Sequence, residues 1–251
     1  MLVAQAANAI LAKIGLRLVH VKSTGTSMQD ALSRVEPYIQ GVQTVIDIGA
    51  ARGTWTITAS KVLPTKAFLA IEPLLEREAD LQRLRKRMPQ FDYELCVAGE
   101  KHNTSVYLSV TDDLDSSIVA DSTGRMVPCK SLDGIAEERG LKGPFLLKFD
   151  THGFEVPILK GATNTLQYTE AIVMEVYNFD ISNTAIRFPE MCAFLEDTGF
   201  RVFGLADPMV RPGDKALWQF DLIFLRNDSP AYNSDRFHPT TPPNRVMKSK
   251  G

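Results

Sequence analysis

Val45-Ile46-Asp47-Ile48-Gly49-Ala50-Ala51-Arg52-Gly53-Thr54 reads as a short apolar strand that breaks at a glycine-bearing turn and passes into a helix. Outward from it the same unit recurs. Apolar runs at 67–71, 93–97, 145–149 and 171–176 alternate with charged segments carrying apolar stripes, Leu74, Leu81, Leu84 and Met88 in one, Phe188, Met191, Cys192 and Leu195 in another closed by Gly199. Near-continuous apolar strands are what a parallel sheet buried on both faces requires. Two regions break the alternation. Residues 104–130 read as two short strands, 105–110 and 126–130, around a polar loop at 112–121, and precede a helix at 132–138. Residues 201–205 and 218–225 read as a hairpin, hence antiparallel, about a loop holding Pro208, Pro212 and Gly213. The expected architecture is α/β: a doubly wound, mostly parallel sheet with helices on both faces, an antiparallel last strand and a small β-insertion. Such sheets bind ligands beyond the carboxyl ends of their strands.

The 251 residues carry 28 basic and 30 acidic side chains, a net charge of −2, so no basic stripe argues for nucleic acid. Hydrophobic residues make up 44%, enough for a full core without staples. Cys96, Cys129 and Cys192 are odd in number and far apart, which excludes a disulfide framework and suits a reducing, cytoplasmic setting. His20, His102, His152 and His238 are scattered without metal-ligand spacing, and no metal is expected.

The division expected along the chain is a helical segment at 1–41, a main domain at 42–226 and a Pro-rich tail at 227–251, extended or disordered. Val3, Ala7, Ile10, Leu11, Ile14 and Leu18 share one helical face, opposite Lys13, Arg17 and His20. Such a helix packs on the domain or on a sister subunit, making a homo-oligomer through it an expectation; a peripheral membrane contact is the alternative. The run is too broken for a transmembrane span or a secretory signal. Ser27, with Asp30 in the first turn, is placed to cap a short helix reaching Tyr38.

The strand ends are where the chemistry is expected. In the first turn Ala51 replaces the glycine that lets a pyrophosphate approach in G-x-G-x-x-G, which argues against a dinucleotide, and no P-loop Gly-Lys-Ser/Thr exists. Asp47 suits an ammonium, and the helix start beside Gly49, Ala50 and Gly53 suits a carboxylate. A ligand with both groups, such as the methionine end of S-adenosylmethionine, answers that pattern. Glu72 lies 23 residues after Gly49, the place for a carboxylate on both ribose hydroxyls, and equally for a carboxylate preceding Pro73 at the start of a helix. Val97 and Ala98, with Cys96, are expected beside the adenine.

The fourth strand exit reads Lys148-Phe149-Asp150-Thr151-His152-Gly153-Phe154-Glu155-Val156-Pro157-Ile158-Leu159-Lys160-Gly161. With Asp47-Ile48-Gly49-Ala50-Ala51-Arg52-Gly53, it resembles the FkbM family of S-adenosylmethionine-dependent methyltransferases, whose members show D-[IV]-G-A-N-x-G and K-[IF]-D-x-x-G-x-E-x-x-[IV]-L-K-G. The resemblance spans roughly residues 42–226 and departs at Ala51, where the family has Asn. It implies a class I methyltransferase fold, S-adenosylmethionine as cofactor, and O-methylation of a hydroxyl on a sugar or other small natural product.

Methyl transfer to an alcohol needs in-line positioning and a group to take the hydroxyl proton. His152 and Asp150 stand where that group belongs, Asp150 also being placed to hold the cofactor's amine. Glu155 reads as a brace for the loop. Glu175, Asn178 and Trp218 are the expected acceptor-binding residues, with Asp180 and Tyr177 near them and Asp115, Ser116 and Ser117 in the insertion loop. The rival readings are N-methylation of an amine, a nicotinamide oxidoreductase, opposed by Ala51, and a cofactor-binding scaffold without catalysis.

Overall fold

A computed structural model describes residues 25–110 and 124–235 in full and 116–119 as backbone. The amphipathic segment at 1–21, Asp115 and the tail beyond residue 235 lie outside the described residues. Among the described residues seven α-helices and eleven strands follow one another: α1 (Met28–Val35), β1 (Thr44–Ile48), α2 (Thr54–Val62), β2 (Ala67–Ile71), α3 (Glu78–Arg87), β3 (Phe91–Glu94), β4 (Val97–Ala98), β5 (Thr104–Val110), β6 (Ser116–Val119), β7 (Arg125–Lys130), α4 (Leu132–Glu138), β8 (Phe145–Phe149), α5 (Glu155–Lys160), α6 (Thr163–Gln167), β9 (Thr169–Tyr177), α7 (Phe188–Asp197), β10 (Phe200–Val210) and β11 (Leu217–Arg226).

The main sheet has the order β10-β11-β9-β8-β1-β2-β3. β3, β2, β1, β8 and β9 run parallel, and β11 is antiparallel to both its neighbours. The chain reverses direction across the sheet between β1 and β8, which makes the ends of these two strands the switch point where ligands bind. All five residues of β1 and of β8 are buried. Ile46, Ile48, Leu147 and Phe149 pack under α4, α5 and α7, whereas Val45 and Leu146 pack under α1, α2 and α3. This two-sided burial is what the apolar runs predicted.

Ser27 caps α1 by accepting the Asp30 N–H, and the helix gives way to a 3₁₀ turn, Glu36–Tyr38. The expectation of a third parallel strand over 93–97 needs correction. β3 ends at Glu94, and Val97-Ala98 leaves the main sheet to pair with Cys129-Lys130 in a second sheet of order β4-β7-β5-β6. The loop expected at 112–121 contains β6, paired antiparallel with β5. Pro73 is not a helix start, because the helical turn begins at Leu75. Pro208 lies within β10 rather than in the hairpin loop. It is tolerated because β10 is an edge strand with three breaks in register, between Val202 and Val210, and Asp207 there takes φ +44. The tail begins folded: Pro230–Tyr232 form a 3₁₀ turn, and the Tyr232 hydroxyl donates to the Arg201 carbonyl at 2.7 Å. No helix among the described residues is long and apolar enough to cross a membrane.

Candidate active site

At the end of β1 the chain turns through Gly49 (φ +80), Ala51 (φ +47) and Gly53 (φ +75). A Cβ on Gly49 would sit 2.0 Å from the Asp150 carbonyl oxygen, so only glycine lets the β1 turn touch the β8 exit. Ala51, where the resembling family has Asn, occupies the left-handed region that Asn tolerates better than alanine. Glu72, 4% exposed at the end of β2, accepts the Ala51 N–H at 2.8 Å on one oxygen and the Leu74 N–H at 2.9 Å on the other. Burial raises its carboxyl above the ordinary value. Its bonds brace the turn, while each oxygen keeps a further lone pair for a ligand.

Gly49, Glu72, Val97, Ala98, Asp150 and His152 line one cleft of roughly 760 Å³, its solvent-open mouth included. Cys96, Leu74 and Leu108 supply apolar wall, and burial pushes the Cys96 thiol up to about 12. Arg77 also borders the cleft, its Nε buried without a partner, a donor left for a ligand. Asp47 and Ala50 line a second cavity instead, on the far side of the Gly49–Asp150 contact, with Trp55, Lys148 and Asp221. Asp47 is held by the Thr56 hydroxyl at 2.6 Å, and burial pushes its carboxyl up to about 6. Gly53 lines neither cavity; it precedes α2 as its N-cap.

The β8 and β9 ends carry a dense ionisable cluster. Lys148, 2% exposed, donates to Asp221 at 2.8 Å and to the Phe149 carbonyl at 3.0 Å, and lies 3.5 Å from Asp150 Oδ2. Burial opposes its charge, but Asp150 and Asp221 outweigh it and raise the ammonium pKa. Asp150 itself is raised by burial. His152 and Gly153 both have positive φ, +52 and +103, which turns the imidazole back over the cluster. His152 Nδ1 lies 2.7 Å from the Tyr177 hydroxyl, 3.4 Å from Glu175 Oε1 and 4.0 Å from Asp150 Oδ1. The Glu175 hydrogen bond, then the Asp150 charge, push the imidazole up to about 9 against the cost of burial. At neutral pH it is therefore an imidazolium. Tyr177 donates its hydroxyl to Glu175 Oε1, and Gln219 donates to Oε2 at 2.9 Å. Burial works against the Glu175 charge, but His152 and Tyr177 hold its carboxyl below the ordinary value.

The expected acceptor residues divide. Glu175 belongs to this cluster. Asn178 ties the hairpin down, donating its amide to the Leu217 carbonyl at 3.2 Å. Trp218 stacks on Phe179 at 5.3 Å between ring centres and meets Tyr177 edge-on at 6.3 Å, beside the cluster rather than in the cleft wall. Asp180 pairs with Arg187 at 3.7 Å. Glu155 braces the loop, accepting from the Thr151 hydroxyl at 2.9 Å and the Gly153 N–H at 3.1 Å. Lys148, Asp221 and Gln219 join the site without having been expected there; the signal the sequence offers is a charged residue, Lys148 or Asp221, inside each of two apolar strands.

No curated protein sequence matches the chain. Among solved structures it is similar to a precorrin-6y C5,15-methyltransferase from Geobacter metallireducens GS-15, at 14% identity over 83% of this chain and 93% of the other, with a TM-score of 0.43. It is also similar to a fibrillarin pre-rRNA processing protein from Methanococcus jannaschii, at 12% identity over 76% and 69%, with a TM-score of 0.49. A third is a 1,6-didemethyltoxoflavin-N1-methyltransferase from Burkholderia thailandensis with bound S-adenosylhomocysteine, at 10% identity over 89% and 85%, with a TM-score of 0.45. The family model "Methyltransferase FkbM domain" matches residues 47–202, from the carboxylate of the first turn to the start of the hairpin. With its sheet order, its turn and its strand-exit block in agreement, the chain belongs to the FkbM methyltransferase family, and its cofactor is S-adenosylmethionine.

Proposed function

We propose that this methyltransferase methylates a hydroxyl on a sugar or other small natural product. The observation that carries the reading is the cluster of Asp150, His152, Glu175 and Tyr177, in which Asp150 and His152 stand in the wall of the cofactor cleft. The cleft fits the cofactor's chemistry, because Glu72 offers two oxygens where ribose hydroxyls are expected, Val97 and Ala98 supply apolar wall where adenine is expected, and Arg77 Nε lacks a partner. The cofactor supplies an electrophilic methyl: a C–O bond forms as the C–S bond breaks, and its electron pair stays on sulfur.

The protein's share is proton handling and placement. The attacking hydroxyl must shed its proton, and the carboxyl groups of Asp150 and Glu175 are the acceptors, Glu175 held below its ordinary value and Asp150 raised above it by burial, since His152 already carries a proton. The His152 imidazolium lies between the two carboxyl groups, 3.4 Å from Glu175 and 4.0 Å from Asp150, and its charge offsets their mutual repulsion. N-methylation of an amine is the alternative chemistry, and a scaffold without turnover is the non-enzymatic one.

The test is turnover on a panel of glycosides and small alcohols, with amines as the contrasting arm. On an accepted alcohol, Asp150→Asn and His152→Ala should each lower kcat about 10²–10⁴-fold. Cofactor affinity of His152→Ala, by calorimetry, should stay within a few-fold of wild type. Methylation of amines alone, or unchanged kcat in both variants with intact folds, overturns the reading.

A further inference from the structure

We propose that Asp150, His152 and Glu175 form a divalent-cation site that orients the acceptor hydroxyl; the orienting role rests on the methyltransferase reading above, the binding itself does not. One ligand atom from each of the three residues lies within 4.8 Å of the others. They come from the ends of two adjacent parallel strands, β8 and β9, so the sheet sets their spacing rather than a single loop. Side-chain directions divide the work: Asp150 Oδ2 faces Lys148 at 3.5 Å, leaving Oδ1 toward His152, and Glu175 Oε2 accepts from Gln219 at 2.9 Å, leaving Oε1 toward His152. One carboxylate oxygen of each acid is thus anchored and the other is turned toward His152, the outer-sphere arrangement that orients metal ligands.

Neighbouring ligands on an octahedral ion with bonds of about 2.1 Å stand about 3 Å apart. His152 and Glu175, at 3.4 Å, are nearly at that spacing, and Asp150, at 4.0 Å from His152, has about 1 Å to close. The Tyr177 hydroxyl bonds both His152 and Glu175 at the centre of the group. An ion entering there displaces the imidazolium proton from His152 Nδ1 to solvent, exchanges those two hydrogen bonds for coordination and leaves Tyr177 beside the remaining positions. Two carboxylates and one imidazole suit a cation that accepts both oxygen and nitrogen, Mn²⁺ above Ca²⁺ or a thiophilic ion. Three protein ligands leave open positions, and two of the three ligands, Asp150 and His152, also line the cofactor cleft. A hydroxyl held at one of them would lie next to the cofactor cleft, and its proton would pass to a carboxylate oxygen of the cluster.

The full chain, freed of metal and without cofactor, should bind one Mn²⁺ in a titration followed by electron paramagnetic resonance. Pulsed measurements should show nitrogen coupling from a directly bound imidazole. His152→Ala should abolish that coupling, Glu175→Gln should weaken binding at least about 10-fold, and Gln219→Leu should weaken it about 10–100-fold as a positioning residue. Absence of binding, binding without nitrogen coupling, or binding unchanged in Glu175→Gln overturns the site, whatever the enzyme methylates. Methyl transfer that survives exhaustive chelation overturns the orienting role while leaving O-methylation standing; transfer that disappears and returns with Mn²⁺ supports both.

Discussion

Glu72 has both carboxylate oxygens engaged by backbone N–H groups, at Ala51 and Leu74, while facing the cleft. If Glu72 holds the ribose, removing it deletes two charge-assisted bonds of about 1.5–3 kcal/mol each, and in any case it leaves two N–H groups without their acceptor. Glu72→Ala should therefore weaken S-adenosylmethionine binding by about 100-fold or more in calorimetry and lower the melting temperature as well. Glu72→Gln, which keeps an acceptor for one amide, separates the two effects: affinity should fall with most of the stability retained. An affinity unchanged in both variants rules out the ribose assignment. At this scale the sequence was a good guide to which residues meet. Gly49, Glu72, Val97, Ala98, Asp150 and His152 end or follow apolar runs in the sequence and line one cleft, because strand ends are where topology gathers side chains. It was a poor guide to direction. Asp47 is inside β1, and because side chains alternate along a strand it points away from the cleft with Val45, toward Thr56.

Among the elements, α6 is only five residues long and has no cap of its own. Asp133 in the first turn of α4 supplies one, accepting the Asn164 N–H at 2.9 Å, the Thr165 N–H at 2.7 Å and the Thr165 hydroxyl at 2.7 Å. Asp133→Ala should cost about 1–2 kcal/mol, read as a lower denaturant midpoint with an unchanged slope. A loss below the error of the measurement would show that α6 needs no such anchor. α4 itself matched its expected limits, because Ser131 and the apolar pair Leu132 and Ile135 are local signals. The break between β3 and β4 was not legible. Residues 93–97 are apolar enough for one strand, and what divides them is the pairing of Val97 with Cys129, a partner 32 residues away in the chain. β6 was hidden for the same reason: its strand character comes from pairing with β5, since Ser116-Ser117 carries no apolar alternation.

For the molecule as a whole, the second cavity sets a pH dependence of stability. Asp47 has a carboxyl pushed from 3.8 to about 6 by burial, so the folded chain binds this proton more tightly than the unfolded chain. Stability from this group is fully present below pH 3.8 and is lost as pH rises through about 6, a difference of about 3 kcal/mol. Asp47→Asn keeps an acceptor for Thr56 without the charge. It should be more stable than wild type at pH 7–8, by up to about 3 kcal/mol, and the advantage should fade below about pH 4. A gain that persists at low pH would trace to packing instead. The outermost strand has a consequence of a different kind. β10 exposes Val202, Leu205, Met209 and Val210, the composition that invites a second chain to add itself as a further strand. Its breaks in register, the missing N–H of Pro208, and the Asp207 N–H already given to the Thr26 carbonyl at 2.6 Å interrupt the ladder such a chain would need. The protein thus carries an oily margin at which fibrillar stacking finds no continuous template.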